Sequence, residues 1–140
     1  MPTRDVWRIH QPGSLNRLRR ETDELEPPGS GHARVAVGAI GLNFADVFAC
    51  LGLYSATPKG AFVPGLEFAG TVEAVGDGVR VVAPGDQVIG LTRFGGYATH
   101  VDADARYLRP LPAGWSFADG AAMPVQAITA RAPITATGRC

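Results

Sequence analysis

A mainly β fold with short helices, shaped as a barrel or a sandwich, is what this sequence predicts. Three observations carry it. Apolar runs are short, and turn signals separate them at roughly ten-residue spacing. Glycine (18) and proline (11) are frequent and fall between those runs. The stretch ARVAVGAIGL (33–42) is rich in β-branched residues, as a buried strand is. A chain of 140 residues suits one domain, and it can bury about two thirds of its unfolded surface.

Asp5 to Gln11 alternates loosely and stops at Pro12-Gly13, a turn. Leu15 to Leu25 reads as a second, polar strand. Arg17, Arg19 and Arg20 in it are followed at once by Glu21, Asp23, Glu24 and Glu26. Interleaved signs keep an exposed edge hairpin soluble, so no functional basic patch is needed to explain them. The loop Pro27 to Gly31 leads into the buried strand, and a short helix follows from Phe44 to Leu51. A strand from Leu66 to Val75 turns at Gly76-Asp77-Gly78. Val79 to Ala83 then leads through Pro84-Gly85-Asp86 to the strand Gln87 to Leu91. Phe94 to Val101 and Arg106 to Leu111 are the last strands. Ser116 and Asp119 have the spacing of a capping box that opens a helix.

Formal net charge is zero, which argues against a polyanion-binding surface and so against a nucleic-acid partner. The two cysteines, Cys50 and Cys140, imply no disulfide framework. No secretory signal precedes the first strand, so a cytoplasmic location is expected. Val35 to Tyr54 is apolar enough to suggest a membrane span. Asn43 and Asp46 lie near its middle, and an Asp there costs about 2.5–3.5 kcal/mol. Gly38 and Gly41 interrupt it further, so the span is rejected and no membrane partner is expected.

The polar residues of GLNFADVFACLGLY (41–54) have a local explanation. Asn43 suits an N-cap. Asp46 falls three residues on, where a carboxylate satisfies orphan donors and meets the positive end of the helix. Gly52 supplies the left-handed C-terminal residue, with Leu53 folding back on the last turn. Tyr54 would bury its ring and wet its hydroxyl. In LEFAGTVEAVG, alternation puts Leu66, Phe68, Gly70 and Val72 on one face, and Glu67, Thr71 and Glu73 on an exposed one. The three histidines (His10, His32, His100) are scattered, and none pairs at short spacing with a cysteine, so no metal site is expected. Gly29-Ser30-Gly31 leads into a strand, where a dinucleotide phosphate cradle must lead into a helix. The residues alone give no complete catalytic constellation.

Three stretches taken in order carry a resemblance: GLNFADVFACLGLY (41–54), VPGLEFAGTVEAVGDGVRVVAPGDQVIGL (63–91) and GGYATHVDADARYLRPLPAGWSFADGAAMPVQAITA (95–130). They resemble the amino-terminal GroES-like domain, a partly open β-barrel, of the medium-chain dehydrogenase/reductase superfamily. The zinc-independent quinone oxidoreductases and the enoylreductase modules of polyketide synthases are the most similar branches. The resemblance implies a GroES-like catalytic domain over residues 1–125. Residues 126–140 would then be the start of an inter-domain helix and a divergent tail.

It also implies chemistry. Where zinc alcohol dehydrogenases carry a ligand cysteine and a ligand histidine, this chain has Asn43 and Leu66. The four-cysteine structural lobe is missing between Leu91 and Gly95. The implied reaction is therefore NADPH- or NADH-dependent reduction of a quinone or an α,β-unsaturated carbonyl without zinc. The resemblance sets Asn43 against the nicotinamide and substrate crevice, with Asp46 in the same turn. Asn43 and Tyr54 would orient the acceptor oxygen, Asp46 would hold the loop, and Thr129 would lie near the nicotinamide. Glu67 would be a supporting residue. Full-length members are expected to be homodimers.

The chain departs from the pattern after Ala130. Arg131-Ala132-Pro133 is followed by ITATGRC, which reads as a changed reading frame or an artificial end, before any Rossmann domain. Pro133 is expected to break the helix. The chain alone is expected to bind NADPH weakly or not at all, and to expose apolar surface. A non-enzymatic interaction module, or an inactive gene remnant, is the alternative.

Overall fold

In the computed structural model, which describes residues 2–137, seven strands form two sheets that do not close on each other. Strands β1 (Thr3–Ile9) and β2 (Leu18–Glu24) make an antiparallel hairpin, with a 3-10 turn at Leu15–Arg17 between them. The second sheet holds β3 (His32–Ile40), β4 (Glu67–Val75), β5 (Gln87–Leu91), β6 (His100–Asp104) and β7 (Leu108–Pro110), in the order β6-β3-β4-β5-β7. The free edge of β1 is stitched to the segments before β4 and before β6. Ile9 and Phe62 exchange backbone bonds of 2.9 and 3.0 Å, and the Trp7 N–H donates to the Tyr97 carbonyl at 2.9 Å.

The interleaved charges of the hairpin pair off across its surface. Arg8 donates to Glu21 at 2.8 Å and to Asp23 at 2.6 Å, and Arg20 donates to Asp5 at 2.6 Å. The main core lies on one face of the five-stranded sheet, among Val35, Phe68, Val72, Val88, Val101 and Leu108. Helix α2 (Phe117–Ala122) covers the opposite face, where Ala121 meets Ala69 and Ile89. Its capping box is formed as expected: the Asp119 N–H donates to Ser116 Oγ and the Ser116 N–H to Asp119 Oδ2, both at 3.0 Å. Gly38 sits at a bulge of β3, and a Cβ there would collide with the Phe117 ring. The glycine therefore seats α2 on the sheet.

Several expectations need correction. The strand expected over Phe94 to Val101 begins only at His100: residues 97–99 bond mainly to β1, through the Tyr97 carbonyl and the Thr99 N–H, and reach β3 only through the Thr99 carbonyl, which accepts the Val37 N–H at 2.9 Å. The strand expected over Asp5 to Gln11 lies at Thr3–Ile9, and the last strand is confined to Leu108–Pro110. Helix α1 (Phe44–Leu51) ends on Gly52 at φ 78°, as expected, but Leu53 is 73% exposed and not tucked against the last turn. Glu67 is 1% exposed, because helices cover the face that alternation assigns to solvent. Helix α3 (Pro124–Thr137) continues through Pro133. A proline removes one donor from the ladder at a cost of about 3 kcal/mol, yet the bonds on either side can carry a helix past it. The end of the divergent tail, 138–140, lies outside the described residues. No helix among the described residues is long and apolar enough to cross a membrane.

Candidate functional site

The site is built where α1 begins. Asn43 is extended (φ −132°, ψ 153°), and the chain turns into the helix at the next residue. The Asn43 N–H donates to Asp46 Oδ2 at 3.0 Å, and the Asp46 N–H donates back to the Asn43 carbonyl at 3.0 Å. This ties off two groups that a helix start leaves unpaired. The Asn43 side-chain oxygen faces the Asp46 N–H and completes a capping box, while its Nδ2 donates to Glu67 Oε1 at 2.9 Å. The other oxygen, Glu67 Oε2, accepts the Val125 N–H at 2.9 Å, at the first turn of α3. Glu67 thus links α1 to α3 from the start of β4. Gly41 makes this possible, since a Cβ there would overlap the Glu67 carboxylate.

Asp46 is 3% exposed. Its Oδ2 also accepts the Tyr97 hydroxyl at 2.8 Å. Burial pushes the Asp46 carboxyl above its ordinary range; the Tyr97 and Asn43 bonds oppose the shift, and the nearby Glu67 charge adds to it. Burial, then the bond to Asp46, likewise holds the Tyr97 phenol well above its usual value. Tyr97 is therefore a fixed donor to Asp46 and not a free proton source at neutral pH. Two glycines place it. Gly65, at φ 110°, leaves no room for a Cβ against the Tyr97 backbone, and Gly96 packs directly on Gly65.

Beside this network lies an open crevice of about 770 Å³, between the start of α1 and the exposed face of α3. Leu42, Phe44, Ala45, Val47, Val125 and Ala130 give it apolar walls. Asn43, Tyr97, Gln126 and Thr129 supply its polar groups. Of the residues picked from the sequence, Asn43 and Thr129 come together here. Asp46 stands behind the wall with its carboxylate on Tyr97. Tyr54 packs on the separate cluster of Ile9, Ala49, Cys50 and Phe62. Sequence reasoning missed Tyr97 and the two hydrogen bonds that Glu67 accepts. The one local signal for Tyr97 is the pair Gly95-Gly96 before it, since adjacent glycines mark a close backbone approach.

A nicotinamide ring fits the chemistry of this lining: apolar side chains with the Asn43 amide and the Thr129 hydroxyl among them. A pyrophosphate does not find its usual seat among the described residues. It needs a strand that turns through glycines into a helix, and Gly29-Ser30-Gly31 turns into β3 instead.

Residues 29–113 match the family described as Alcohol dehydrogenase GroES-like domain. The chain belongs to that family. This GroES-like domain is of the medium-chain dehydrogenase/reductase type, in the branch of quinone oxidoreductases, enoylreductases and VAT-1 proteins. It is 46% identical over 132 residues to the pikromycin polyketide synthase component PikAII of Streptomyces venezuelae, covering 89% of this chain and 3% of that protein. It is 40% identical over 104 residues to the mouse quinone oxidoreductase-like protein 2, covering 74% of this chain and 30% of that protein. The fold superposes on the human synaptic vesicle membrane protein VAT-1 homolog-like protein with a TM-score of 0.93 at 29% identity, over 99% of this chain and 45% of that one. The Escherichia coli quinone oxidoreductase complexed with NADPH gives 0.86 at 29% identity, over 97% and 41%. The chain thus spans less than half the length of each of these proteins.

Proposed function

We propose that this GroES-like domain is the catalytic-domain side of an NAD(P)H-dependent oxidoreductase. It would act without zinc, in the cytoplasm, on a quinone or an α,β-unsaturated carbonyl. The observation that carries the reading is the crevice itself, which brings Asn43 and Thr129 to one apolar wall. The residue types at 43 and 66, Asn and Leu, cannot serve as thiolate and imidazole ligands, which supports a metal-free site. The similarity to an NADPH-complexed quinone oxidoreductase supports the cofactor.

A bound reduced nicotinamide would supply the hydride. The residues of this chain do the rest. The walls around Leu42, Phe44 and Val125 exclude water from one side of the ring. Asn43 and Thr129 hold the polar edge of the ring, and a fixed position matters because hydride transfer depends steeply on distance and alignment. Asp46 and Tyr97 hold the turn that carries Asn43.

The test is a chimera in which this chain replaces the matching 41% of the Escherichia coli quinone oxidoreductase. NADPH oxidation is then measured with 1,4-benzoquinone and with an enone. Turnover with either, lowered at least tenfold by Asn43→Ala and unchanged by Tyr54→Phe, is the expected result (about one charge-free contact in the transition state). A folded chimera that oxidises no NADPH would sink the reading. A second reading, an interaction module, draws on the exposed apolar rim: Leu42 is 72% and Phe44 is 83% exposed. That reading requires stoichiometric capture of one partner with no dependence on NADPH.

A further inference from the structure

We propose a second binding site, on the far side of α3 from the crevice, for an aliphatic carboxylate: its chain lies in an apolar hollow beside Ile128 and its carboxylate meets Arg109. Val125, Gln126 and Thr129 of α3 border the crevice. Met123, Ala127 and Ile128, about half a turn round, border a different hollow of about 340 Å³. Strand β5 supplies Ile89 and Leu91 to that hollow, and Tyr107 borders it too. Its volume is at the small end of the ligand-pocket range. Tyr107 and Ile128 are 56% and 55% exposed, so large apolar groups stand uncovered around it. Such a lining gains from an apolar occupant.

The charges beside the hollow select the head group. Arg106 and Arg109 border it and also the next hollow, where Arg80 and His32 lie. Among the described residues that line either hollow, Asp104 is the one carboxylate, and Arg106 takes it: Nε donates at 3.1 Å and Nη2 at 2.7 Å. Arg34 gives the same edge to Asp102, with Nε and Nη2 both at 2.8 Å. Arg109 is oriented by its remaining nitrogen, since Nη1 donates to the Arg106 and Leu108 carbonyls, both at 2.8 Å. Its Nε and Nη2 have no partner among the described residues. These two donors lie side by side and match the two oxygens of a carboxylate, as they do in the Arg34 and Arg106 pairs. Arg80 forms no ion pair among the described residues and adds a second unmatched positive charge. A cationic head is repelled from this end, and a neutral one gains no charge-assisted bond.

The test compares octanoate with octylammonium on the full chain. The two share a tail and differ in head charge. Each is titrated into isotope-labelled protein, and affinities are read from the NMR shifts of the Met123 and Ile128 methyl groups. Octanoate is expected to bind at least about tenfold more tightly at low salt, and the margin should shrink as salt is added. Hexanoate should bind more weakly than octanoate, by about twofold for each methylene lost, because the open hollow buries each in part. Arg109→Gln should remove most of the preference for the anion, while Arg80→Gln, at an exposed position, should lower octanoate affinity about two- to threefold. Equal affinities for the two heads in the parent chain would overturn the proposal. So would shifts confined to the crevice residues Asn43 and Thr129, or an undiminished preference in folded Arg109→Gln. The parent-chain comparison decides the matter even where Arg109→Gln does not fold.

Discussion

The domain holds two polar clusters, each built around carboxylates. One lies on the β1–β2 hairpin, where Asp5, Arg8, Arg20, Glu21 and Asp23 pair across the surface. The other lies at the crevice, where Asn43, Asp46, Glu67 and Tyr97 bond inside the fold. The hairpin has full opposite charges at short distance; the crevice has two carboxylates and no cation among these bonds. Counting ion pairs would rank the hairpin as the stronger. Burial reverses the ranking. Water and salt screen the hairpin pairs, and each partner can find water when the other is removed. Glu67 and Asp46 are nearly out of reach of solvent, so a partner removed there leaves a donor or a charge with nothing in its place.

Truncation at the crevice should give the largest effect. Glu67→Ala strips Asn43 Nδ2 and the Val125 N–H of their acceptor and opens a void. We expect a loss of about 3–5 kcal/mol in urea unfolding. A loss below about 1 kcal/mol would erase the distinction between the clusters.

Tyr97→Phe comes next, at about 1–2 kcal/mol at neutral pH, and its pH dependence sharpens the point. The Asp46 carboxyl in the fold titrates above the ordinary 3.8, so its contribution to stability is fully present below that value and is lost as pH rises through the folded one. Removing the hydroxyl takes away a bond to the ionised form and lifts the folded value further. The gap between variant and parent should therefore be smaller at acidic pH, and should widen as pH rises through the range where Asp46 ionises. Urea midpoints measured across that range check it; a gap that narrows with rising pH would refute the assignment.

On the hairpin, Arg8→Ala breaks the bonds to Glu21 and Asp23 and should cost only about 0.2–1 kcal/mol, less in high salt. The smallest effect is expected at Arg106. Its guanidinium, beside Asp104, holds that carboxyl at about 2. Arg106→Ala should return Asp104 toward the ordinary carboxylate range in an NMR titration while leaving the melting temperature unmoved.

The two clusters also differ in how far the sequence discloses them. The hairpin is legible, because alternating signs in a polar strand point to a solvated edge whatever lies elsewhere in the chain. At the crevice, only the local half is legible. Asn43 and Asp46 sit three residues apart, and helix capping alone demands their types. Glu67 escapes, because a period of two says which residues share a face but not whether that face is covered. Here α2 and α3, more than forty positions on, cover it. Tyr97 escapes for the same reason: it meets Asp46 across a separation of 51 residues.

The sequence by itself determined the β-rich class, the extent of α1, the capping of α1 and α2, and the charged hairpin. These rest on dihedral preferences, spacing and nearest neighbours, which the chain carries with it. Its ordered motifs also determined the family. Only the tertiary structure decided that Asn43 and Thr129 border one crevice, that Tyr54 belongs to another cluster, and that a glutamate expected in solvent is buried between two donors. Those outcomes depend on which face each helix covers, and burial of that kind is set when distant elements pack, not by the residues beside it in the chain.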